Sequence, residues 1–135
     1  MNDTPSRLLF VDDEPNALAG YERQLRNTFD VATARGGAKG FELVEGHGPF
    51  AVVVADMRMP GMDGVQFLTH VKRISPSSVR MILTGMADQQ TAIQAVNEGN
   101  IFRFLTKPCP PEALTRALQA GVDQYRLVNA ECELL

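Results

Sequence analysis

Short runs of apolar residues alternate along this chain with longer segments in which apolar residues recur every three or four positions. The short runs predict five β-strands, because continuous apolar runs are typical of parallel strands buried on both faces; they are residues 8–11, 30–34, 50–55, 79–83 and 101–105. The longer segments predict five helices, at residues 15–28, 38–46, 64–74, 88–98 and 111–133. This (βα)5 pattern indicates an α/β fold, with helices on both faces of a doubly wound parallel five-stranded sheet.

Polar residues stand at the ends of four of the five predicted strands. They are Asp12 and Asp13 after strand one, Asp56 after strand three, Thr84 after strand four and Lys107 after strand five. In the flavodoxin-like strand order 2-1-3-4-5 these four strands are neighbours, and strand two, with no charged residue before Arg35, lies at the edge. We therefore expect the polar side chains to converge at the carboxyl edge of the sheet.

Three carboxylates that share one site repel one another, so that one of them would take up a proton unless a cation compensates the charge. Mg²⁺ suits such a site, because it binds through a few carboxylate oxygens and leaves positions for phosphate oxygens. A carboxylate can attack a phosphoryl donor while Lys107 and the Thr84 hydroxyl stabilise the charge on the transferred group. The set of residues therefore indicates phosphoryl transfer.

Each of these features also has an ordinary structural interpretation. The acidic run before Pro15 is typical of a helix N-terminus, and the Pro-Gly and Asp-Gly pairs after Asp56 are common in turns. Thr84-Gly85 is compatible with a helix-capping hydroxyl, and Lys107-Pro108 with a simple strand exit. The functional interpretation is favoured by the joint order of the features, since each stands at the end of a predicted strand.

Composition and charge restrict the possible functions. The chain has 135 residues, 44% of them apolar, which is the size of one globular domain. The net charge is −3, without a run of Lys or Arg, so direct nucleic-acid binding has no electrostatic support. Cys109 and Cys132 lack metal-ligand spacing. The absence of a signal-like start or an apolar run of membrane-spanning length predicts a cytoplasmic protein with no membrane contact.

Four segments resemble the receiver domain of two-component response regulators, the CheY-like superfamily. They are LLFVDDEPN, VVVADMRMPGMDG, ILTG and FLTKP, and the resemblance extends over residues 7–124. It implies a phosphorylation-dependent signalling switch that accepts a phosphoryl group from a sensor histidine kinase or a phosphotransfer protein. It also implies a regulatory domain that assists its own phosphorylation and dephosphorylation, and not an enzyme.

The resemblance assigns a role to each strand-end residue. It makes Asp56 the phosphoacceptor and a metal ligand. Asp12 and Asp13 become the acidic pair that holds Mg²⁺, Asp13 more directly, and the backbone carbonyl of Arg58 becomes a further ligand.

On the phosphate side, the resemblance makes Thr84 and Lys107 ligands of the phosphoryl group. Thr84 and Phe104 occupy the positions of the family's conformational switch, although core packing is the alternative role for Phe104, a Phe in an apolar strand. The resemblance also implies a cis Lys107-Pro108 peptide bond, which X-Pro pairs allow.

Three other functions are compatible with parts of this pattern, but each fits it less well than the receiver interpretation. A phosphatase similar to the haloacid dehalogenase superfamily carries its nucleophile on the first strand and a second Asp two residues later, where this chain has Arg58 after Asp56. A flavin-binding module with this topology has a hydroxyl-rich first loop, whereas three acids from Asp12 to Glu14 would repel a flavin phosphate. A degenerate receiver that serves only as an interaction domain is disfavoured by the complete set of residues.

The C-terminal segment predicts a second element of organisation. We expect the receiver domain at residues 1–124 and a helical extension at 125–135 that leads to an output domain outside this chain or to a homodimer partner. The region around FLTKP is similar to receivers that precede HD-type phosphohydrolase or other enzymatic outputs. Apolar residues at heptad-like spacing support the extension, because such a seam pairs with another helix. The alternative is that the same residues form a stripe that faces the core of the domain. The seam consists of Leu118, Gly121, Tyr125, Val128, Cys132 and Leu135.

Overall fold

The computed structural model describes the backbone of residues 6–134 and the side chains of residues 6–129. Strands and helices alternate throughout. The elements are β1 (Arg7–Asp12), α1 (Pro15–Leu25), β2 (Asp30–Arg35), α2 (Gly37–His47), β3 (Val52–Asp56), α3 (Gly64–Ile74), β4 (Val79–Thr84), a 3-10 turn (Met86–Asp88), α4 (Gln89–Asn97), β5 (Arg103–Thr106) and α5 (Pro111–Leu134).

All five strands pair in parallel, in the order β2-β1-β3-β4-β5. This confirms the predicted doubly wound α/β sheet and its strand order. The strands begin and end within about two residues of their predicted bounds. β3 and β5 begin later than expected because Phe50 and Ile101 are buried in the core but precede the paired segments. A run of apolar residues indicates which residues are buried, and the buried segment is longer than the segment that forms the hydrogen bonds of the sheet.

The core has two layers, one on each face of the sheet. Along β1, Leu8 and Phe10 point into one layer, whereas Leu9 and Val11 point into the other, as the two-residue period of a strand requires. The first layer also contains residues of α1 and α5, and the second contains residues of α2, α3 and α4. Both faces of the central strands are therefore covered, which explains their continuous apolar sequence.

Helix α5 packs closely on the sheet because one of its residues has no side chain. A Cβ at Gly121 would lie 2.6 Å from Met81 Cε and 2.9 Å from Val52 Cγ2, distances that real contacts do not reach. The predicted heptad seam is therefore wrong at Gly121 and at Leu118, which is 0% exposed. Both residues face the sheet, so the stripe begins as a core-facing surface.

The later part of α5 stays in contact with the domain. Tyr125 packs against the first core layer, and the Arg126 guanidinium donates a hydrogen bond to Ser6 Oγ at 3.3 Å. Leu127 is 57% exposed, while the Cys132 side chain and Leu135 lie outside the described residues. Within the described part of the chain, no helix combines the length and the hydropathy needed to cross a membrane.

Candidate functional site

Three carboxylates meet at the carboxyl edge of the sheet. Asp12 ends β1 and Asp56 ends β3, and these two strands are paired neighbours. Asp13 follows Asp12 directly. One carboxylate oxygen from each residue lies within 4.8 Å of the others, and both Asp12 and Asp56 are buried, at 3% and 6% exposure. The structure thus brings together the three acids that the sequence analysis selected.

The loop after β1 is held by several hydrogen bonds. The Glu14 N–H donates to Asp12 Oδ1 at 3.0 Å, and the Gly36 N–H donates to the Asp12 carbonyl at 3.0 Å. The Arg35 Nε donates to the Asp13 carbonyl at 3.2 Å. Arg35 is the last residue of β2 and lies in register with Asp12. Strand two was not expected to contribute to the site, and the position of Arg35 at the end of that strand is the sequence signal that could have indicated its role.

The turn after β3 fixes the position of Asp56. The Met57 N–H donates to the Leu83 carbonyl, and the Gly64 N–H donates to the Met57 carbonyl, both at 2.8 Å. A Cβ at Gly64 would overlap the Asp56 carbonyl oxygen, so the approach of α3 to the end of β3 requires glycine. Asp63 begins α3 with a capping box, in which its side chain accepts from the Gln66 N–H at 2.8 Å. Turn and cap residues therefore build the loop beside the carboxylates.

Lys107 contacts Asp56 directly. Its ammonium group forms an ion pair with Asp56 Oδ1, and its backbone N–H donates to the Thr84 carbonyl at 2.9 Å. The Lys107-Pro108 peptide bond is cis, as predicted. The loop after β5 thus directs a positive charge onto one of the three carboxylates, and this contact offsets part of their mutual repulsion.

The two residues assigned to the switch lie in different surroundings. Thr84 is fully buried, and its hydroxyl donates to the Gly85 carbonyl at 3.1 Å. Phe104 is half-buried and packs against the second core layer, which agrees with the core-packing alternative. Whether Thr84 and Phe104 move with phosphorylation stays a prediction.

Burial and charge shift two pKa values at the site. Burial raises the pKa of Asp12, and the negative charge of Asp56 adds to this effect, while the hydrogen bond from the Glu14 N–H opposes it. Burial raises the pKa of Tyr21 to about 12, with a further contribution from the charges of Asp12 and Asp56. Tyr21 stacks on Phe10 with 4.7 Å between ring centroids. The sequence pattern gave no signal for this aromatic neighbour of the acidic cluster.

The donor set suits a hard divalent cation. It consists of oxygen atoms from three carboxylates, two of which are buried. Burial and the neighbouring negative charges raise the pKa of Asp12. Divalent cations that prefer oxygen ligands relieve this repulsion, and they leave coordination positions for water or phosphate. The role of the Arg58 backbone carbonyl as a further ligand stays a prediction.

The Arg58 side chain forms an ion pair that the sequence analysis did not anticipate. Its Nε lies 2.7 Å from Asp88 Oδ2, and its Nη2 lies 3.4 Å from Asp88 Oδ1. The hydrogen bond raises the pKa of Arg58 and lowers the pKa of Asp88, and their opposite charges act in the same direction. The pair connects the loop after β3 with the 3-10 turn before α4.

Known proteins share this sequence pattern. A family model described as the response regulator receiver domain matches residues 8–119. The hydrogenase transcriptional regulatory protein HoxA of Bradyrhizobium diazoefficiens is 35% identical over 120 residues, which is 89% of this chain and 24% of that protein. The transcriptional regulatory protein GlrR of Escherichia coli is 33% identical over 125 residues, 92% of this chain and 28% of that protein. The chain therefore spans about a quarter of the length of these relatives.

Solved structures share the fold. The crystal structure of adenylate cyclase from Rhodopirellula baltica superimposes with a TM-score of 0.95 at 42% identity, and the similarity covers 97% of each chain. The response regulator receiver domain protein from Clostridium thermocellum gives a TM-score of 0.85 at 31% identity and covers 91% of this chain and 98% of that one. Because the family model covers most of the sequence and these structures share its fold, the chain belongs to the response regulator receiver domain family.

Proposed function

We propose that this chain is a phosphorylation-dependent switch in which Asp56 accepts the phosphoryl group. The observation that carries the proposal is the surroundings of Asp56, whose carboxylate lies close to two further carboxylates and forms an ion pair with the Lys107 ammonium group. A nucleophilic carboxylate, a cation site and a fixed positive charge are the components that phosphoryl transfer requires. Membership of the receiver family supports the same function.

In the proposed reaction, an Asp56 carboxylate oxygen attacks the phosphorus atom of the donor. The bond between phosphorus and the donor's leaving atom breaks, and the leaving group departs with the electron pair. The Lys107 ammonium group and the Thr84 hydroxyl bind the phosphoryl oxygens and stabilise their charge. Because the Thr84 hydroxyl donates to the Gly85 carbonyl in this structure, it exchanges that partner for the phosphoryl group. This exchange couples phosphorylation to the end of β4.

Mg²⁺ is the cation that we propose for the site. Asp12, Asp13, Asp56 and the Arg58 backbone carbonyl would hold it. When bound, Mg²⁺ supplies positive charge that neutralises the carboxylates and the phosphoryl oxygens. The side chains of this chain keep the carboxylates in place, and the Arg35 contact to the Asp13 carbonyl holds the loop that carries one of them.

The site supports a regulatory domain better than a phosphatase or a flavin module. A phosphatase of the aspartyl type needs a general acid two residues after its nucleophile. Here that residue is Arg58, whose guanidinium is occupied by Asp88. The acidic cluster would repel a flavin phosphate. We therefore propose that the chain assists only its own phosphorylation and dephosphorylation.

The proposed partners are a sensor histidine kinase or a phosphotransfer protein as donor, in the cytoplasm, and an output domain outside this chain. HoxA and GlrR are transcriptional regulators about four times longer than this chain, whereas a similar solved structure is of an adenylate cyclase. The net charge of −3 gives these residues no overall electrostatic attraction for DNA, which supports an output domain outside them. The exposed Leu127 supports a connection through residues 125–135 to such an output, or to a second copy of the chain.

The proposal is tested by phosphorylation with a small acyl phosphate, such as acetyl phosphate. We expect wild-type protein to incorporate phosphate with Mg²⁺ present and to fail with EDTA. Asp56→Asn should abolish incorporation, whereas Asp123→Asn, an exposed position on α5, should leave it unchanged. Undiminished incorporation in the Asp56→Asn protein would refute Asp56 as the phosphoacceptor.

A further inference from the structure

A cavity of about 260 Å³ lies at the amino edge of the sheet, opposite the edge that holds the three carboxylates. It is lined by the first two residues of β4, Val79 and Arg80, and by residues of the loops before β4 and β5 and of α5. Arg80 precedes Thr84 by four residues on the same strand, which corresponds to about 13 Å. The cavity is therefore separate from the site proposed for phosphoryl transfer.

Arg80 brings a positive charge into the wall of this cavity. The lysines and arginines of the chain are exposed except for Arg7 and Arg80, which are half-buried. Arg7 forms an ion pair with Asp30 at 3.7 Å, whereas no carboxylate of residues 6–129 lies within ion-pair distance of Arg80. Arg80 is thus a half-buried cation whose charge is not compensated by any acid in the described part of the chain.

Backbone carbonyls hold the Arg80 guanidinium in place without neutralising it. Its Nε donates to the Asn100 carbonyl at 2.8 Å, and its Nη1 donates to the Ser78 and Pro76 carbonyls at 3.2 and 3.4 Å. These bonds use three of the five N–H donors of a guanidinium group. Burial lowers the pKa of Arg80, because a partly buried charge loses hydration. An anion in the cavity would compensate this charge.

The other lining residues define the kind of anion that fits. Ser77 and Gln124 add a hydroxyl and an amide group, which can donate hydrogen bonds to an anion. The volume lies below the range of about 300–1,000 Å³ that is typical of sites for drug-sized ligands, so the cavity suits a small molecule. Four branched or aromatic apolar side chains also line it, namely Val79, Ile101, Phe102 and Val128.

We propose that this cavity binds a small carboxylate with a short apolar chain, and that Arg80 holds the carboxylate group. The carboxylate would accept hydrogen bonds from the remaining N–H donors of the guanidinium, while the chain would lie against the apolar wall. Such a ligand contacts β4, the segment before β5 and α5 together, so it stabilises the packing of α5 on the sheet. This site goes beyond the proposed function and does not depend on phosphorylation of Asp56.

The test uses butyrate as the probe and butyramide, which has nearly the same shape but no charge, as its control. Wild-type protein labelled with ¹⁵N is titrated at constant ionic strength, without Mg²⁺ or a phosphoryl donor, and followed by NMR. We expect saturable shifts of the amide signals at residues 76–80, 99–102 and 124–128. The Kd should be about millimolar, as is typical of a ligand of six heavy atoms. Butyramide should bind at least about tenfold more weakly, because the charge-assisted hydrogen bonds are lost.

A pair of variants tests the role of Arg80. Arg80→Met keeps much of the apolar stem but removes the charge, and it should weaken butyrate binding at least about tenfold. Arg116→Met removes the same charge from an exposed position on α5 and should leave the affinity unchanged. The comparison of butyrate with butyramide uses wild-type protein, so it decides the question even if Arg80→Met fails to fold.

Several outcomes would overturn the proposal. One is the absence of saturable shifts well above millimolar butyrate, and another is equal affinity for butyrate and butyramide. Shifts confined to the surroundings of Asp56 and Lys107 would place butyrate at the opposite edge of the sheet. Glu131 follows Val128 by about one turn of α5, and binding seen only in Glu131→Gln would show that the chain's own carboxylate fills the cavity. None of these results affects the proposed function, because phosphorylation of Asp56 is measured separately.

Discussion

Replacing Asp12 with Asn should stabilise the domain in the absence of metal while it weakens the cation site. The Asp12 carboxylate is 3% exposed, and one of its oxygens lies within 4.8 Å of oxygens from Asp13 and Asp56. Asn has nearly the same shape, and its side-chain oxygen can still accept the hydrogen bond from the Glu14 N–H. The substitution therefore removes charge with little change in packing.

The size of the effect follows from the separation of the charges. At 4.8 Å, two unit charges repel by about 3.5 kcal/mol for an effective dielectric constant of about 20, and by about 0.9 kcal/mol in bulk water. The attraction of Lys107 for Asp12 offsets part of this repulsion. We expect Asp12→Asn to increase the free energy of unfolding by about 1–3 kcal/mol at neutral pH without metal.

The shifted pKa of Asp12 determines how the stability of the domain changes with pH. Because the pKa of Asp12 is raised by burial, the folded protein binds the Asp12 proton more tightly than the unfolded chain does. The stability of the wild type therefore falls as the pH rises from the ordinary Asp pKa, about 3.9, through the raised folded-state pKa. Asn cannot ionise, so Asp12→Asn does not lose stability over this pH interval. The difference in the free energy of unfolding between the variant and the wild type should therefore grow over the interval and stay constant above it.

Urea unfolding followed by circular dichroism measures the effect. With EDTA, the midpoint should rise by about 0.5–1.5 M, for an m-value of about 2 kcal/mol/M. Mg²⁺ should raise the midpoint of the wild type more than that of Asp12→Asn, because ligand binding stabilises the folded state. Glu45→Gln, at an exposed position on α2, serves as the charge control and should change neither value. An unchanged or lower midpoint for Asp12→Asn in EDTA would refute the reasoning.

Three further predictions concern packing, capping and charge. Gly121→Val should destabilise the domain by about 1–3 kcal/mol in urea unfolding, since even the first added carbon would overlap Met81 and Val52; an unchanged midpoint would contradict the close packing of α5. Asp63→Ala should lower the free energy of unfolding by about 1 kcal/mol in the same urea experiment, because the capping box of α3 is lost. Asp63→Asn, which keeps a capping oxygen, should lower it much less. Lys107→Ala should slow phosphorylation by acetyl phosphate at least tenfold, because the transferred group loses its fixed positive charge; a rate equal to the wild type would exclude that role.

The sequence predicted the strands from short-range apolar patterns, and the flavodoxin-like topology of an alternating (βα)5 chain supplied the strand order. Continuous apolar runs identify strands buried on both faces, and the parallel order then determines which strand ends are neighbours. Asp12, Asp13, Asp56 and Lys107 meet at one edge for this reason.

The sequence was less informative where contacts join distant residues. Nothing in the order of residues pairs Arg58 with Asp88, thirty positions later, because that contact depends on how two loops approach each other. Arg35 was overlooked because its contribution is a hydrogen bond to a backbone carbonyl, which leaves no pattern of charge. The seam assignment failed at Leu118 and Gly121 because a core-facing stripe and a heptad have almost the same spacing over two heptads.

The central claim is that Asp56 carries the phosphoryl group, and chemical mapping of the modified residue tests it most directly. Borohydride reduces an aspartyl phosphate to homoserine, which peptide mass spectrometry can locate in the sequence. After treatment with acetyl phosphate and Mg²⁺, we predict homoserine at position 56 and at no other position, and none in samples that contain EDTA. Homoserine at Asp12, Asp13 or another acid, with position 56 unmodified, would contradict the account.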